Sequence, residues 1–430
     1  MTIIDEVGVG TDARVYTEGW QSWSPTTWYA LGEEAHRPAE GWQHLMRFRP
    51  GTELPRTGRQ GEGLVVVDPG DGGPVRTYAT LDPALVPTIR VEVVGDRAIV
   101  RTDHADAIDA SVGTGGPDAG LRALERFGAL FGARVGARVA TPPPRVWCTW
   151  YRYFEAVTAA DVHENIDAID ASGLPVDVIQ IDDGWSLGTG SWTRRNPRFG
   201  DLDGVVGRIR DGGRRAGIWL APFSVGAGSE LAQAHPDWLT GPAGHNWGDD
   251  LVGLDLTHPG VREHLTEVFT GLRELGVDYL KLDFLYSGAV PAERHDRDAD
   301  GIAAYRSGLR LIREVMGESA YLLGCGAPIL PSVGIVDAMR VSPDTFHEGG
   351  EDGSQGLRGR MSTQARAWQD GRLWTTDPDC LVARPAFALR DEWADVVLAA
   401  PGLRGFSDRL AELDSHGLQL VQRLLEGGSR

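Results

Sequence analysis

Three consecutive prolines, Pro142-Pro143-Pro144, split this chain into two stretches with different hydrophobic patterning. Proline lacks a backbone N–H and fixes φ, so such a run suits neither a helix interior nor a central strand. It sets the expected boundary between an N-terminal part, residues 1–140, and a second part, residues 141–430. Beyond it, eight short apolar runs recur at 145–151, 176–182, 215–222, 277–284, 320–325, 337–342, 372–376 and 402–406. Amphipathic stretches separate most of them. One covers 158–172, from the cap candidate Thr158 to Gly173; others at 259–275 and 299–316 stop at Gly276 and Gly317. Alternating strands and helices imply a parallel sheet. Eight such units over roughly 280 residues fit an α/β fold of the (β/α)8 TIM-barrel type, whose usual size is about 250 residues. A doubly wound open sheet is the competing arrangement. Only residues 329–336 join the fifth and sixth runs, too few for a full crossover helix.

The part before the prolines reads as a small antiparallel β domain. Leu64–Val67 and the run 89–94 are strand-like, and Gly95-Asp96 is a turn signal leading into a third strand at 97–101. Residues 119–134 then predict a helix, with Leu121, Leu124, Phe127 and Phe131 at helical spacing.

Composition excludes several function classes. Lys plus Arg is 42 against 61 for Asp plus Glu, a net charge of −19, which argues against a nucleic-acid surface or a polybasic membrane anchor. The N-terminus has no basic and apolar leader pattern, and no apolar run is long enough to span a bilayer. A soluble, cytoplasmic protein is the expectation. The three cysteines, Cys148, Cys325 and Cys380, lie far apart and offer no disulfide framework or CxxC metal spacing. None of the 11 histidines falls in a HExxH or strand-end HxH pattern, and no phosphate-binding glycine loop occurs, so no metal and no cofactor is expected. Tryptophan is the commonest aromatic, 14 against 11 Phe and 9 Tyr. Trp150, Trp185 and Trp219 fall at the ends of apolar runs, where a flat ring can stack on an apolar ligand face. Trp238, Trp368 and Trp393 fall in helical or loop contexts and read as packing.

In a barrel of this kind the active site lies at the C-terminal ends of the strands. Those ends read Trp147-Cys148-Thr149-Trp150-Tyr151, Ile181-Asp182-Asp183-Gly184-Trp185, Ile218-Trp219-Leu220-Ala221-Pro222, Lys281-Leu282-Asp283-Phe284, Gly324-Cys325-Gly326-Ala327-Pro328, Arg340-Val341-Ser342-Pro343-Asp344 and Asp377-Pro378-Asp379-Cys380. Lys281 and Asp283 are two apart on a strand and share a face, as do Arg340, Ser342 and Asp344. Taken singly, each charged pair reads most simply as a local ion pair. Repetition at strand end after strand end is what points to one polar mouth.

Two carboxylates across a pocket suit glycoside hydrolysis: one attacks or stabilises an oxocarbenium-like centre, and the other protonates the leaving group. A cation beside Asp283 favours its charged form, which suits the nucleophile. For Asp344, strand-end burial and the nearby Arg340 pull in opposite directions, and its role stays open on these grounds. The vicinal Asp182 and Asp183, the donors Lys281 and Arg340, and the Trp rings suit a sugar. Cys325 has no evident His partner and reads as a small residue permitting close approach rather than a nucleophile.

Together these strings resemble the melibiase-type α-galactosidases of glycoside hydrolase family 36, from about Leu121 to Asp408, and more weakly at Gly19-Trp20-Gln21-Ser22-Trp23-Ser24. The resemblance implies an N-terminal β-sandwich, a catalytic (β/α)8 barrel and hydrolysis of terminal α-galactosides with retention, without a metal. It implies Asp283 as nucleophile and Asp344 as acid/base. It implies Asp182 and Asp183 on the galactose O4 and O6 hydroxyls, Lys281 on O3 and O4, and Arg340 with Cys325 and Gly326 bordering O2. Trp219 and Trp150 would line the pocket, with Trp23 reaching in from the N-terminal part. Ser342 stands where the family often has Gly. The N-terminal part is short for the family, and the family's C-terminal β domain is expected to be absent, since 417–430 completes only a last helix. That leaves a barrel face exposed or open to contact with a second copy. The expected partner is a small α-galactoside or oligosaccharide, with no nucleic acid and no membrane. The same chemistry on an α-N-acetylgalactosaminide or α-glucoside, transfer to a sugar acceptor, and non-catalytic sugar binding are the alternatives.

Overall fold

The computed structural model describes residues 1–246, 248–345 and 356–427. Each of the eight apolar runs contributes one parallel strand: β1 (Arg145–Cys148), β2 (Val178–Ile181), β3 (Arg215–Leu220), β4 (Val277–Leu282), β5 (Tyr321–Gly324), β6 (Ala338–Arg340), β7 (Thr375–Asp377) and β8 (Arg404–Phe406). Sequential neighbours pair from β1 to β7, and β8 pairs with β1. The Leu403 amide donates to the Thr376 carbonyl at 2.8 Å, and Leu381 bridges Phe406, so the β7 edge meets the β8 edge. The sheet is therefore a TIM-like near-barrel and not an open doubly wound sheet.

Strand periodicity explains how the barrel is filled. Leu280 and Leu282 of β4 face outward into the main core against the helices. Tyr279 faces inward, with Val146, Val178, Leu323 and Ala338, and plugs the barrel floor. The same alternation of two carries Lys281 and then Asp283 up the inner face. Helices Ala159–Ser172, Pro259–Leu275 and Gly301–Met316 sit close to their expected bounds. The first begins with a capping box: Thr158 accepts from the Asp161 amide while Asp161 accepts from the Thr158 amide. The short β5–β6 connection holds a single turn, Ile329–Ser332.

Two features were not foreseen. A three-stranded antiparallel sheet, Ser224–Gly226, Leu239–Asn246 and Asp249–Leu254, is inserted between β3 and β4. A short helix, Gly41–Arg47, lies in the N-terminal part.

The N-terminal strands form two antiparallel sheets of four and five strands. The apolar run 64–67 is explained by burial on both faces: Val65 and Val67 pack between the sheets, while Leu64 and Val66 face the main core. That core includes helix Ala119–Val135, which presents Leu124, Phe127 and Phe131. Leu121, at the edge of this stripe, is 45% exposed and does not join the core as its spacing suggested. Gly132 lets the helix lie directly on the chain at Arg372, whose carbonyl oxygen would be 2.1 Å from a Cβ there. No helix among the described residues is long and apolar enough to cross a membrane.

Candidate active site

The strand ends converge on one cleft. Asp182, Asp183, Lys281, Asp283, Asp344, Trp219, Trp150 and Trp23 all line it. The residues come from β1 to β4 and β6, plus one loop of the N-terminal part. Among the described residues no group of three or more His, Cys, Asp or Glu is arranged to hold a metal ion.

The β2 end supplies the vicinal carboxylates. Asp182 is buried and accepts from Lys281 Nζ at 3.0 Å and from Gln180 Nε2 at 2.7 Å, while its amide donates to Thr149 Oγ1 at 2.9 Å. Asp183 accepts from the Gly184 amide at 2.7 Å and from Asn246 Nδ2 at 3.4 Å. Burial pushes its carboxyl up to about 7; Glu155 and Asp182 add to this, and the Gly184 amide and Asn246 oppose it. Burial pulls the Lys281 ammonium down, but the carboxylates of Asp182 and Asp283 outweigh this and hold it well above its ordinary value.

Asp283 stands just past β4. Its Oδ2 accepts from Trp219 Nε1 at 2.9 Å, its Oδ1 accepts from the Phe284 amide at 2.8 Å, and Lys281 Nζ lies 4.0 Å away. Its two oxygens thus face two N–H donors and an ammonium. Trp219 is itself propped from behind. Trp185 donates to the Trp219 carbonyl at 2.8 Å and does not line the cleft, so it supports the wall rather than forming it.

Asp344 follows β6, and its side chain is 46% exposed. Arg340, 1% exposed, donates to it at 2.6 Å. The same guanidinium nitrogen reaches Asp379 Oδ2 at 3.0 Å. Asp379 Oδ2 also accepts from the Thr345 amide at 2.8 Å, from Thr345 Oγ1 at 2.7 Å and from the Tyr151 hydroxyl. Burial pushes the Asp379 carboxyl up to about 6; Arg340 opposes this, Asp344 and Asp377 add to it, and the Tyr151 hydroxyl opposes it.

Three expected pocket residues do not form the wall of the cleft. Arg340 is buried and pairs with Asp344, which lines the cleft, and with Asp379, which does not. Cys325 is fully buried behind Asp283, and burial pushes its thiol well up. Gly326, at φ +51°, serves as a seat for Trp23: a Cβ there would meet the indole ring at 3.1 Å. Trp23 also packs edge-on to Phe284, with ring centres 5.1 Å apart.

The structure adds cleft residues that strand-end reasoning missed. Trp42, Met46 and Arg47 come from the Gly41–Arg47 helix, and His245 and Asn246 come from the inserted sheet. Trp42 meets His245 edge-on, with ring centres 5.2 Å apart. No strand-end pattern points to either element, although Trp42 belongs to the tryptophan surplus. A buried polar clamp fixes the N-terminal loop over the barrel. Glu18 and Arg366, both 0% exposed, pair at 2.7 Å, and Arg366 also donates to the carbonyls of Ser22 and Gln21. The loop continues as a bridge from Gln21 to Pro328 after β5.

The chain is similar to several known proteins. The melibiase family model matches residues 146–317. The bifunctional α-galactosidase/sucrose kinase AgaSK of Mediterraneibacter gnavus is 28% identical over 149 residues, which are 32% of this chain and 15% of that protein. The α-galactosidase AgaA of Geobacillus stearothermophilus is 28% identical over 172 residues, 36% of this chain and 23% of the relative. The match thus spans less than a quarter of these curated relatives' length. Among solved structures, the α-galactosidase TtGalA of Thermus thermophilus, in complex with p-nitrophenyl α-D-galactopyranoside, superimposes with a TM-score of 0.78 at 28% identity, covering 98% of this chain and 87% of that one. With a melibiase-like segment running from β1 through the helix after β4, and a fold shared along nearly its whole length, the chain is similar to α-galactosidases.

Proposed function

We propose that this protein hydrolyses terminal α-D-galactosyl residues from α-galactosides with retention, by double displacement. The observation that carries this reading is the pairing of two unlike carboxylates in one cleft. Asp283 is enclosed by donors and a cation, and Asp344 is open to solvent beside an arginine. In the first step Asp283 attacks the anomeric carbon as the bond to the leaving oxygen breaks, and Asp344 gives that oxygen a proton. In the second, Asp344 takes a proton from water, which attacks the same carbon and releases Asp283. Asp182 and Asp183, with Lys281 between the first of them and Asp283, provide acceptors and a donor for the sugar's hydroxyls. Trp219 and Trp150 provide flat walls, and Trp23 closes the side. Residues 1–140 act as the part that completes this wall, and residues 141–430 as the catalytic barrel.

The test is a panel of aryl α-galactoside, α-N-acetylgalactosaminide and α-glucoside, with the first-formed product anomer read by NMR. Turnover of the galactoside with α-galactose appearing first is the expected result. β-Galactose appearing first would overturn retention, preference for another glycoside would move the specificity, and tight binding without turnover would leave a sugar-binding protein.

A further inference from the structure

We propose that Asp379 is a positioning residue for Asp344, holding it from both sides through Arg340 and Thr345. The inference rests on reading Asp344 as the acid/base. Asp344 is half-exposed, and Arg340 is its hydrogen-bond partner among the described residues. Arg340 in turn is shared: one guanidinium nitrogen lies 2.6 Å from Asp344 Oδ1 and 3.0 Å from Asp379 Oδ2. The residue after Asp344 is tied to the same oxygen, because Thr345 donates to Asp379 Oδ2 through its amide at 2.8 Å and its hydroxyl at 2.7 Å. Asp379 therefore grips both the side-chain partner of Asp344 and its chain neighbour.

Asp379 is itself held in an uncommon conformation. Its φ is +84°, a region that non-glycine residues occupy when the surroundings impose it. Its amide donates to Asp377 Oδ1 at 2.9 Å, and its other oxygen accepts from the Cys380 amide at 2.8 Å. That conformation belongs to a buried carboxylate 34 residues or more from Thr345 and Arg340, the groups it grips. The groups facing Asp379 are Arg340 and Asp344 from the β6 end, Tyr151 from the β1 end, Asp377 from β7, and the Cys380 thiol of the next residue.

Two consequences follow for turnover. If Asp344 is displaced, proton delivery suffers most where the leaving group needs a proton. If Asp379 loses its charge, Arg340 serves Asp344 alone, and one negative charge fewer stands beside it. The charged form of Asp344 gains, and the acid form is lost at lower pH.

The experiment compares Asp379→Asn with the unmodified protein on two α-galactosides, one with a sugar leaving group and one with an activated aryl leaving group. The expected loss in kcat/KM is on the order of 10²-fold on the first, the size of a general-acid contribution, and under about tenfold on the second. The alkaline limb of the sugar-substrate profile moves to lower pH. Equal losses on both substrates, or an unmoved alkaline limb, would overturn the proposal. If circular dichroism shows that Asp379→Asn does not fold, Thr345→Ala removes one donor and is expected to give the same split at smaller size; equal losses there overturn it too. An unmodified protein that turns over neither substrate overturns the hydrolase reading itself, and this inference with it.

Discussion

The two central carboxylates occupy opposite kinds of surroundings. The Asp283 side chain is 8% exposed, with a donor on each oxygen and an ammonium 4.0 Å off. The Asp344 side chain is 46% exposed and leans on one guanidinium. The first arrangement is preorganised: its dipoles already point at a fixed negative charge, and nothing has to reorganise during reaction. The second leaves room for water and for a departing group, as a residue that gives up and regains a proton requires. Under the proposed mechanism, one cleft separates charge-holding from proton-handling by burial and donor count, using the same side-chain type.

The largest effect should come from breaking the enclosed side. Asp283→Ala is expected to lower kcat on an aryl α-galactoside by about 10⁴-fold or more, as removal of a covalent nucleophile does elsewhere. An unchanged melting curve would show that the fold persists. Asp344→Asn is expected to cost about 10²–10⁴-fold on a sugar leaving group. It should cost far less on an activated aryl leaving group, measured as kcat/KM for both. Similar losses on both would mean that the two carboxylates do not differ in role as their surroundings do. Trp219→Phe keeps the wall but deletes the N–H on Asp283. A hydrogen bond to a charged group contributes about 1.5–3 kcal/mol, so a loss of roughly 10- to 100-fold in kcat is expected.

The smallest effect concerns stability. The Asp183 carboxyl is raised from 3.8 to about 7 by burial, so the fold favours its protonated form. Above its unfolded value the unfolded chain ionises freely while the folded one resists, and stability contributed by this group falls as pH rises from about 4 to about 7. Asp183→Asn should flatten that stretch of the Tm-against-pH curve. An equally steep curve in the variant would assign the slope to other groups.

Much of the barrel is legible in the sequence itself. Each of the eight runs became a strand, because a strand buried on both faces must be apolar along its length and needs a turn at each end. The strand-end motifs placed seven of the eleven expected site residues on the cleft wall, and the N-terminal string placed an eighth, Trp23. The three expected residues that the wall leaves out, Arg340, Cys325 and Gly326, stand at strand ends too; they are covered by burial and, at Gly326, by the Trp23 ring, which a motif does not record. Asp379 sat in a recognised string, yet its partners come from elsewhere in the chain: Arg340 ends β6, Thr345 follows it, and Tyr151 lies just after β1. The inserted sheet and the Gly41–Arg47 helix carry no strand-end signature.

What the sequence determined by itself is local and periodic. A spacing of two puts Lys281 and Asp283 on one face, Thr158 with Asp161 starts a helix, and Pro142–Pro144 breaks the chain's regularity. Tertiary structure alone decided which distant residues meet. Glu18 finds Arg366, Trp42 finds His245, and Arg340 lies between two carboxylates. The physical reason is that periodicity is set by backbone geometry within a few residues. The pairing of buried charges and the depth of a cleft are set by barrel closure, which brings together residues hundreds of positions apart.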